Sequence, residues 1–397
     1  MKVVVTGYGS RGDVEHCVAV GPELLRRGHD VLVAVPPNML DFVESAGLAA
    51  VAYGPDSREA MNPAAELVRG FATRMHHQVS VLTEAVEHIS RVKADKTTTL
   101  TTVAQGADLL VAGFNEQGLA ANVAEYYGIP LAALHPFPTR IWSPESMVSV
   151  ITKQTDDVQR HALGLPEKTG PSARKPLEIQ AYDELCLPGP AAEWVDLDGR
   201  RPFVGALTLE LPTKVDDEVL SWIAAGTPPI YFGFGSTPIP SPAETAAVIS
   251  AACAQLGERA LICGGPNDFT HAPRLDNVKV VEAVNHSAIF PACRAAVHHG
   301  GPGTMAAAMR AGIPMLVLWF WLDQPLWAAA VERLKVGSAR AFSASTLDSL
   351  VADLRSILTP QCLARAREVA TQMTKSAESV ARAVDLLEDA ARLGGAD

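Results

Sequence analysis

One stretch restricts the fold of this 397-residue chain more than any other. The apolar run Arg294-Ala295-Ala296-Val297 reads as the end of a short buried strand. His298-His299-Gly300-Gly301-Pro302-Gly303 follows as a turn, and Thr304-Met305-Ala306-Ala307-Ala308-Met309-Arg310 is a run of good helix formers. A strand that empties through glycines into a helix aims free main-chain N–H groups and a helix N-terminus at an anion. Glycine lets the ligand come close to the main chain, His298 or His299 adds an imidazole donor, and Thr304 adds a hydroxyl. An ordinary strand-to-helix turn with two structural histidines is the simpler account. Two adjacent histidines, three glycines and a threonine within seven positions favour a diphosphate cradle.

The same β-then-α pattern runs through the rest of the chain. Lys2–Thr6 is a β-branched first strand, and Gly7 to Asp13 turns into a helix that should run to about Arg27, where Gly28 ends it. Strands follow at 30–35 and 48–53, with a helix at 39–46 between them. The pattern from Pro63 to Lys93 is helical, and the threonine run 97–102 reads as helix or loop. Residues 107–112 and 130–134 are strand-like around a helix at 116–127. Periodicity then weakens. Residues 165–190 read as loop, and Phe203–Leu207 as a closing strand. A second series begins with a strand at 229–236, followed by a Ser241-Pro242-Ala243-Glu244 capping box and strands at 259–263, 278–281, 295–297 and 315–319. This alternation implies parallel sheets with helices on both faces. The fold class is therefore α/β, with two Rossmann-like doubly wound domains. The first spans residues 1–209, a linker covers 210–227, and the second spans 228–375; an amphipathic helical tail follows at 376–397.

Composition removes several functions. A net charge of −11 argues against nucleic acid, which needs a basic face. No run of about 20 apolar residues offers a membrane span. Met1–Gly7 is too short an apolar run for a signal peptide. Cys17, Cys186, Cys253, Cys263, Cys293 and Cys362 are scattered without a CxxC pair, which fits reduced thiols in the cytoplasm and gives no zinc signal.

The remaining polar motifs sit at strand ends. Gly7-Tyr8-Gly9-Ser10-Arg11-Gly12 matches the dinucleotide fingerprint G-x-G-x-x-G in its expected place. That fingerprint also wants an acid at the end of the second strand, where Val33-Ala34-Val35-Pro36-Pro37 has none. NAD or FAD is thus disfavoured. Asp13 reads either as a helix N-cap or as a general base at the sheet's carboxyl edge, and serves both only if one oxygen stays free. Ser236 closes a strand with Gly233 and Gly235 and can donate to phosphate, though taken alone a plain turn is the simpler account. Asp323 and Gln324 could hold a polyol through paired donors and acceptors, or Asp323 could merely cap a helix. The stretch Val280-Val281-Glu282-Ala283-Val284-Asn285-His286 could place main-chain groups against a nucleobase. Asp196 and Asp198 form a D-x-D string that reads as solvated surface.

Taken together, Gly9-Ser10-Arg11-Gly12-Asp13-Val14-Glu15, Gly235-Ser236, His298–Thr304 and Asp323-Gln324-Pro325-Leu326-Trp327 resemble the actinobacterial family 1 GT-B glycosyltransferases. Members of that family glycosylate glycopeptides, polyketides and mycobacterial-type glycolipids. The motifs keep family order and spacing over nearly the whole chain. Two positions depart from the family: Pro302 often stands as Ala there, and His16 as Pro. The resemblance implies two domains facing a cleft and an inverting, metal-independent transfer from a dTDP- or UDP-sugar, with no other cofactor. By that resemblance Asp13 takes the acceptor proton, and Arg11, Ser236, His298, Gly301, Gly303 and Thr304 hold the diphosphate. His299 joins them from the cradle reading. Val284 presents its backbone to the base, and Asp323 and Gln324 hold the sugar. The C-terminal helix is expected to pack back on the first domain.

The first domain should supply the acceptor site. Its variable parts, about 60–105 and 137–167, are apolar, which suggests a lipophilic small-molecule or lipid-linked acceptor such as a lipopeptide, phenolic lipid or polyketide, although packing of helices on the sheet is the simpler account of most of these residues. His135 and Trp142 are the pocket candidates. A cytoplasmic enzyme with peripheral contact at the inner membrane face fits this reading. Two alternatives stay open: a non-catalytic nucleotide-sugar-binding protein and a GT-B nucleotide-sugar epimerase.

Overall fold

The computed structural model describes residues 1–58, 78–138, 147–167, 176–189, 192, 199–269 and 277–394. Contacts divide the chain into two compact units. One comprises Met1–Ala181, Glu193–Leu207 and Ala377–Asp397; the other comprises Tyr182–Ala192 and Thr208–Ser376.

The first unit holds β1 (Lys2–Thr6), β2 (Asp30–Val35), β3 (Ala49–Ala52), β4 (Leu109–Gly113), β5 (Leu131–His135) and β6 (Leu177–Gln180). Their order in the sheet is 3-2-1-4-5-6, and every pair is parallel. Its helices include α1 (Arg11–Val18), α2 (Gly21–Arg26), α3 (Leu40–Ser45), α4 (Gln78–Ala104), α5 (Gln117–Tyr127) and α6 (Met147–Ala162). Val4, Ala34, Leu110, Ala112, Leu119 and Val123 form one side of its core. β1 and β4 lie at the centre, where the order reverses, so the loops after them flank the crevice in which such sheets bind ligands.

The second unit repeats the plan. β7 (Ile230–Gly233), β8 (Ala260–Cys263), β9 (Val278–Val281), β10 (Ala295–His298), β11 (Met315–Trp319) and β12 (Gly337–Ala341) are all parallel, in the order 12-11-10-7-8-9. Helices α7 (Asp216–Ala224), α8 (Pro242–Leu256), α9 (His286–Ile289), α10 (Pro302–Ala311), α11 (Gln324–Leu334), α12 (Leu347–Ile357) and α13 (Pro360–Ala370) belong to it. α14 (Ser376–Gly394) begins at its last residue and continues in the first unit. Ile230, Phe232, Val297, Leu316 and Leu354 are in its core.

Several expectations need correction. The first helix is not continuous to Arg27: it stops at Val18 and a new one starts at Gly21, because Pro22 lacks the N–H a through-helix would need. The strand that closes the first sheet is Leu177–Gln180, inside the segment read as loop, while Phe203 makes only a single bridge to Gln180. Residues 210–227 contain α7, and β12 was not anticipated. Ser241 makes no side-chain cap bond at α8, so the expected capping box is absent there. The threonine run lies within α4, each of Thr97, Thr98, Thr101 and Thr102 returning its hydroxyl to the carbonyl four residues back. Among the described residues, no helix is long and apolar enough to cross a membrane.

Candidate active site

In the first unit the turn after β1 delivers Asp13. The N-cap of α1 is Ser10 rather than Asp13, and Asp13 stands at the third helical position. Its Oδ2 accepts the Ser10 main-chain N–H at 2.7 Å and the Ser10 hydroxyl at 2.8 Å. The acid of a capping box normally reaches back in this way. Both bonds fall on one oxygen, so Oδ1 is unused. Gly9 makes the seat possible: its φ is +133°, and a Cβ there would stand 2.5 Å from Asp13 Oδ2. Burial raises the Asp13 carboxyl above its ordinary 3.8, and the two Ser10 bonds act against that rise.

The same unit buries further polar groups. His16, on the next turn of α1, is 3% exposed, and burial lowers it to about 4. His135, at the end of β5, is 2% exposed and lowered to about 3 by burial, with Arg201 and His16 contributing. Both imidazoles are therefore neutral at pH 7. Glu116, just past β4, accepts the Tyr53 hydroxyl at 2.5 Å and the Lys96 ammonium at 2.7 Å. Arg11 is half exposed, paired with Glu15 at 2.8 Å and lying over the Phe42 ring at 4.8 Å.

In the second unit β10 ends at His298, in register with Gly233 on one side and Val317 on the other. His298 is wholly buried, and Gly300 N–H donates to its Nδ1 at 3.1 Å. Burial holds this imidazole well below its usual range, so it is neutral and its one proton sits on Nε2. That Nε2 is buried and has no hydrogen-bond partner. Gly301 caps α10, and Pro302 takes the first helical position, where a missing N–H costs nothing. The first-turn amides of Gly303 and Thr304 have no intrahelical acceptor by helix geometry.

His299 has a different place from its neighbour. A Cβ on Gly301 would collide with its Nε2, and a Cβ on Gly235 would stand 2.7 Å from its Cε1. The ring is a wedge between the two glycine turns, lowered to about 4 by burial. The Ser236 turn is also fastened from behind. Asn267 accepts Ile239 N–H at 2.8 Å and donates to the Thr237 carbonyl at 3.1 Å and the Gly264 carbonyl at 3.2 Å. Ser236 itself is exposed.

Val284 is 5% exposed and precedes Asn285, the N-cap of α9. Asn285 N–H donates to Asp216 Oδ1 at 3.0 Å, so α7 steadies the chain beside Val284. Asp323 occupies the N-cap position of α11 without capping it; its Oδ2 accepts the Trp327 indole N–H at 2.9 Å instead. Gln324 Oε1 accepts the N–H groups of Phe320 (2.8 Å) and Trp321 (3.3 Å), which commits its oxygen and leaves its amide NH2 as the outward group. Leu322, between Trp321 and Asp323, is 62% exposed with φ +56°, a left-handed conformation uncommon for a leucine.

Trp142, Asp196 and Asp198 lie outside the described residues. Among those described, no three His, Cys, Asp or Glu side chains gather as a metal site. Sequence reasoning missed Glu116, Asp216 and Asn267. Each is a single polar residue in a loop or at a helix start, and its importance comes from partners 20 to 69 positions away.

Paired doubly wound sheets with a glycine cradle at a strand's carboxyl end define the GT-B architecture, and solved structures share it. The glycotransferase of kitacinnamycin matches with a TM-score of 0.72 at 19% identity over 98% of each chain. The glycosyltransferase VinC in complex with dTDP matches with 0.66 at 19% identity over 99% of this chain and 100% of that one. The sequence adds membership. Residues 3–141 match the Glycosyltransferase family 28 N-terminal domain, and 263–388 match the Erythromycin biosynthesis protein CIII-like C-terminal domain. An uncharacterized glycosyltransferase of Mycobacterium tuberculosis is 55% identical over 99% of both chains. The vancomycin aglycone glucosyltransferase of Amycolatopsis orientalis is 31% identical over 96% of both. The chain belongs to the family 1 GT-B glycosyltransferases and is a glycosyltransferase.

Proposed function

We propose that this chain is an inverting, metal-independent glycosyltransferase that moves a sugar from a dTDP- or UDP-sugar to a hydroxyl of a lipophilic small-molecule or lipid-linked acceptor. The observation that carries the reading is the division of labour on Asp13: Oδ2 is held by Ser10, and Oδ1 is unused. A carboxylate so placed can keep its two bonds to Ser10 and still take a proton.

The acceptor hydroxyl gives its proton to Asp13 Oδ1 as its oxygen attacks C1 of the donor sugar. The C1–O bond to the diphosphate breaks from the opposite face, and the nucleoside diphosphate leaves with the electron pair. A single displacement of this kind inverts C1. Charge grows on the leaving diphosphate, and stabilisation is greatest where donors are already in place. His298 Nε2–H, the first-turn amides of α10, and the Thr304 and Ser236 hydroxyls supply neutral donors there, with the positive end of the α10 dipole behind them. These donors take the part a divalent ion plays elsewhere, so no metal or further cofactor enters the proposal. The Gln324 amide and Asp323 serve the sugar hydroxyls, Val284 the base, and His135 the acceptor side.

The test is Asp13→Asn, assayed by mass spectrometry for transfer from dTDP- and UDP-sugars to a panel of lipophilic phenols and lipids, with EDTA present. Transfer should fall at least ~100-fold while nucleotide affinity stays near that of the unmodified protein. Undiminished transfer would reduce Asp13 to the structural partner of the Ser10 cap.

A further inference from the structure

Three loops at the carboxyl edge of the first sheet converge on one carbonyl. Ser57, past β3, is 1% exposed, and its hydroxyl donates to the Gly9 carbonyl at 2.7 Å. Asn38, past β2, holds Ser57 in turn: its Nδ2 donates to Ser57 Oγ at 3.0 Å, and its Oδ1 accepts Ser57 N–H at 3.0 Å. Asn38 Oδ1 also lies 3.2 Å from Ser57 Oγ, farther than the Gly9 oxygen. The Gly9 carbonyl and the Ser10 N–H are the two ends of one planar peptide group. That N–H is the 2.7 Å donor to Asp13 Oδ2. A single rigid unit thus has its oxygen gripped by Ser57 and its proton presented to Asp13.

The grip matters because of Gly9. Its φ of +133° lies where side-chain-bearing residues rarely go, and glycine resists rotation least of all residues. Without an external hold the peptide could turn its N–H away from Asp13. A hydrogen bond to the carbonyl also polarises the peptide and strengthens its N–H as a donor.

We propose that Ser57 is a positioning residue for Asp13, acting through the Gly9–Ser10 peptide, with Asn38 holding Ser57 in place. Ser57 orients the oxygen pair so that Oδ2 is occupied and Oδ1 is left for the acceptor. This rests on the reading of Asp13 as the base. The titratable groups around the Asp13 turn are Cys17, which interacts with both Asp13 and Glu116, His16 on the same helix beside Gly113, and His135, which faces His16. Burial keeps both imidazoles neutral and the thiol protonated at neutral pH, and Glu116 is bonded to Tyr53 and Lys96.

The experiment needs no known acceptor. The full chain is labelled with ¹³C at the aspartate carboxyl carbon, and the Asp13 signal is identified by its absence in Asp13→Asn. Its titration is then followed by NMR. Ser57→Ala should raise the Asp13 pKa by about 0.5–1 pH unit, because a bond to the charged form is loosened. Ser57→Thr, which keeps the hydroxyl, should return it toward the unmodified value. Should Ser57→Ala not fold, Asn38→Ala loosens the hydroxyl without emptying its place and should move the titration the same way. An unmoved Asp13 titration in a folded Ser57→Ala or Asn38→Ala protein overturns the inference. Failure of the base reading shows separately, as undiminished transfer by Asp13→Asn.

Discussion

His298→Ala tests the diphosphate cradle most directly. The ring is wholly buried, its Nδ1 takes the Gly300 N–H, and its proton on Nε2 has no acceptor. An unpaired buried donor costs about 1–3 kcal/mol, and a diphosphate oxygen would relieve that while gaining a charge-assisted bond. A hydrogen bond to a charged group contributes about 1.5–3 kcal/mol, so its loss should raise the Kd for dTDP or UDP by about 10- to 150-fold. The unliganded protein should suffer less. Emptying a buried ring site costs about 2–5 kcal/mol, but removing the orphan donor returns part of it. Isothermal titration calorimetry with EDTA present measures the affinity. Thymidine and uridine, which carry no phosphate, serve as controls and should bind as before. Unchanged diphosphate affinity in a folded variant would remove His298 from the cradle. An equal loss for the nucleosides would mean the site had collapsed rather than lost a phosphate donor.

Two further outcomes follow from the same residues. Gly301→Ala leaves the backbone unstrained, since its φ is −63°, but the new methyl would drive His299 from its slot between Gly301 and Gly235. Overpacking of this kind costs about 1–3 kcal/mol and should appear as weaker diphosphate binding; wild-type affinity would show that the wedge is dispensable. The buried imidazoles of His16, His135, His298 and His299 resist protonation when folded, whereas unfolded histidine takes a proton near 6.5. The unfolded chain therefore binds more protons below that pH, and stability present above 6.5 is lost as pH falls toward 4. The loss is about 2 kcal/mol per histidine between pH 7 and 5, and the raised Asp13 carboxyl opposes it as a single group. Thermal unfolding should accordingly weaken sharply between pH 7 and 5, and a flat melting temperature across that range would refute the neutral-histidine account.

The sequence by itself determined the two parallel sheets and the glycine turn that joins β10 to α10. Central strands such as Val3-Val4-Val5 and Ala295-Ala296-Val297 are buried on both faces, so they must be continuous apolar runs, and glycines at their ends are forced by the turns. Two of the four edge strands escaped notice: Leu177-Glu178-Ile179-Gln180 and Gly337-Ser338-Ala339-Arg340-Ala341 are short, half-buried and polar, without the continuous apolar run of a central strand. The site divided the same way. Asp13 and His298 could be put forward as candidates from their motifs, because a motif is a local pattern of residue types. That Asp13 sits third in its helix rather than capping it, that His298 keeps its proton on Nε2, and that His299 is a wedge depend on distances no local pattern contains. Ser57 and Asn38 mark the limit. Both are ordinary loop residues in the sequence, 48 and 29 positions from Gly9, and only the parallel alignment of β1, β2 and β3 brings their three loops to one edge, where a hydroxyl can hold the peptide that feeds Asp13.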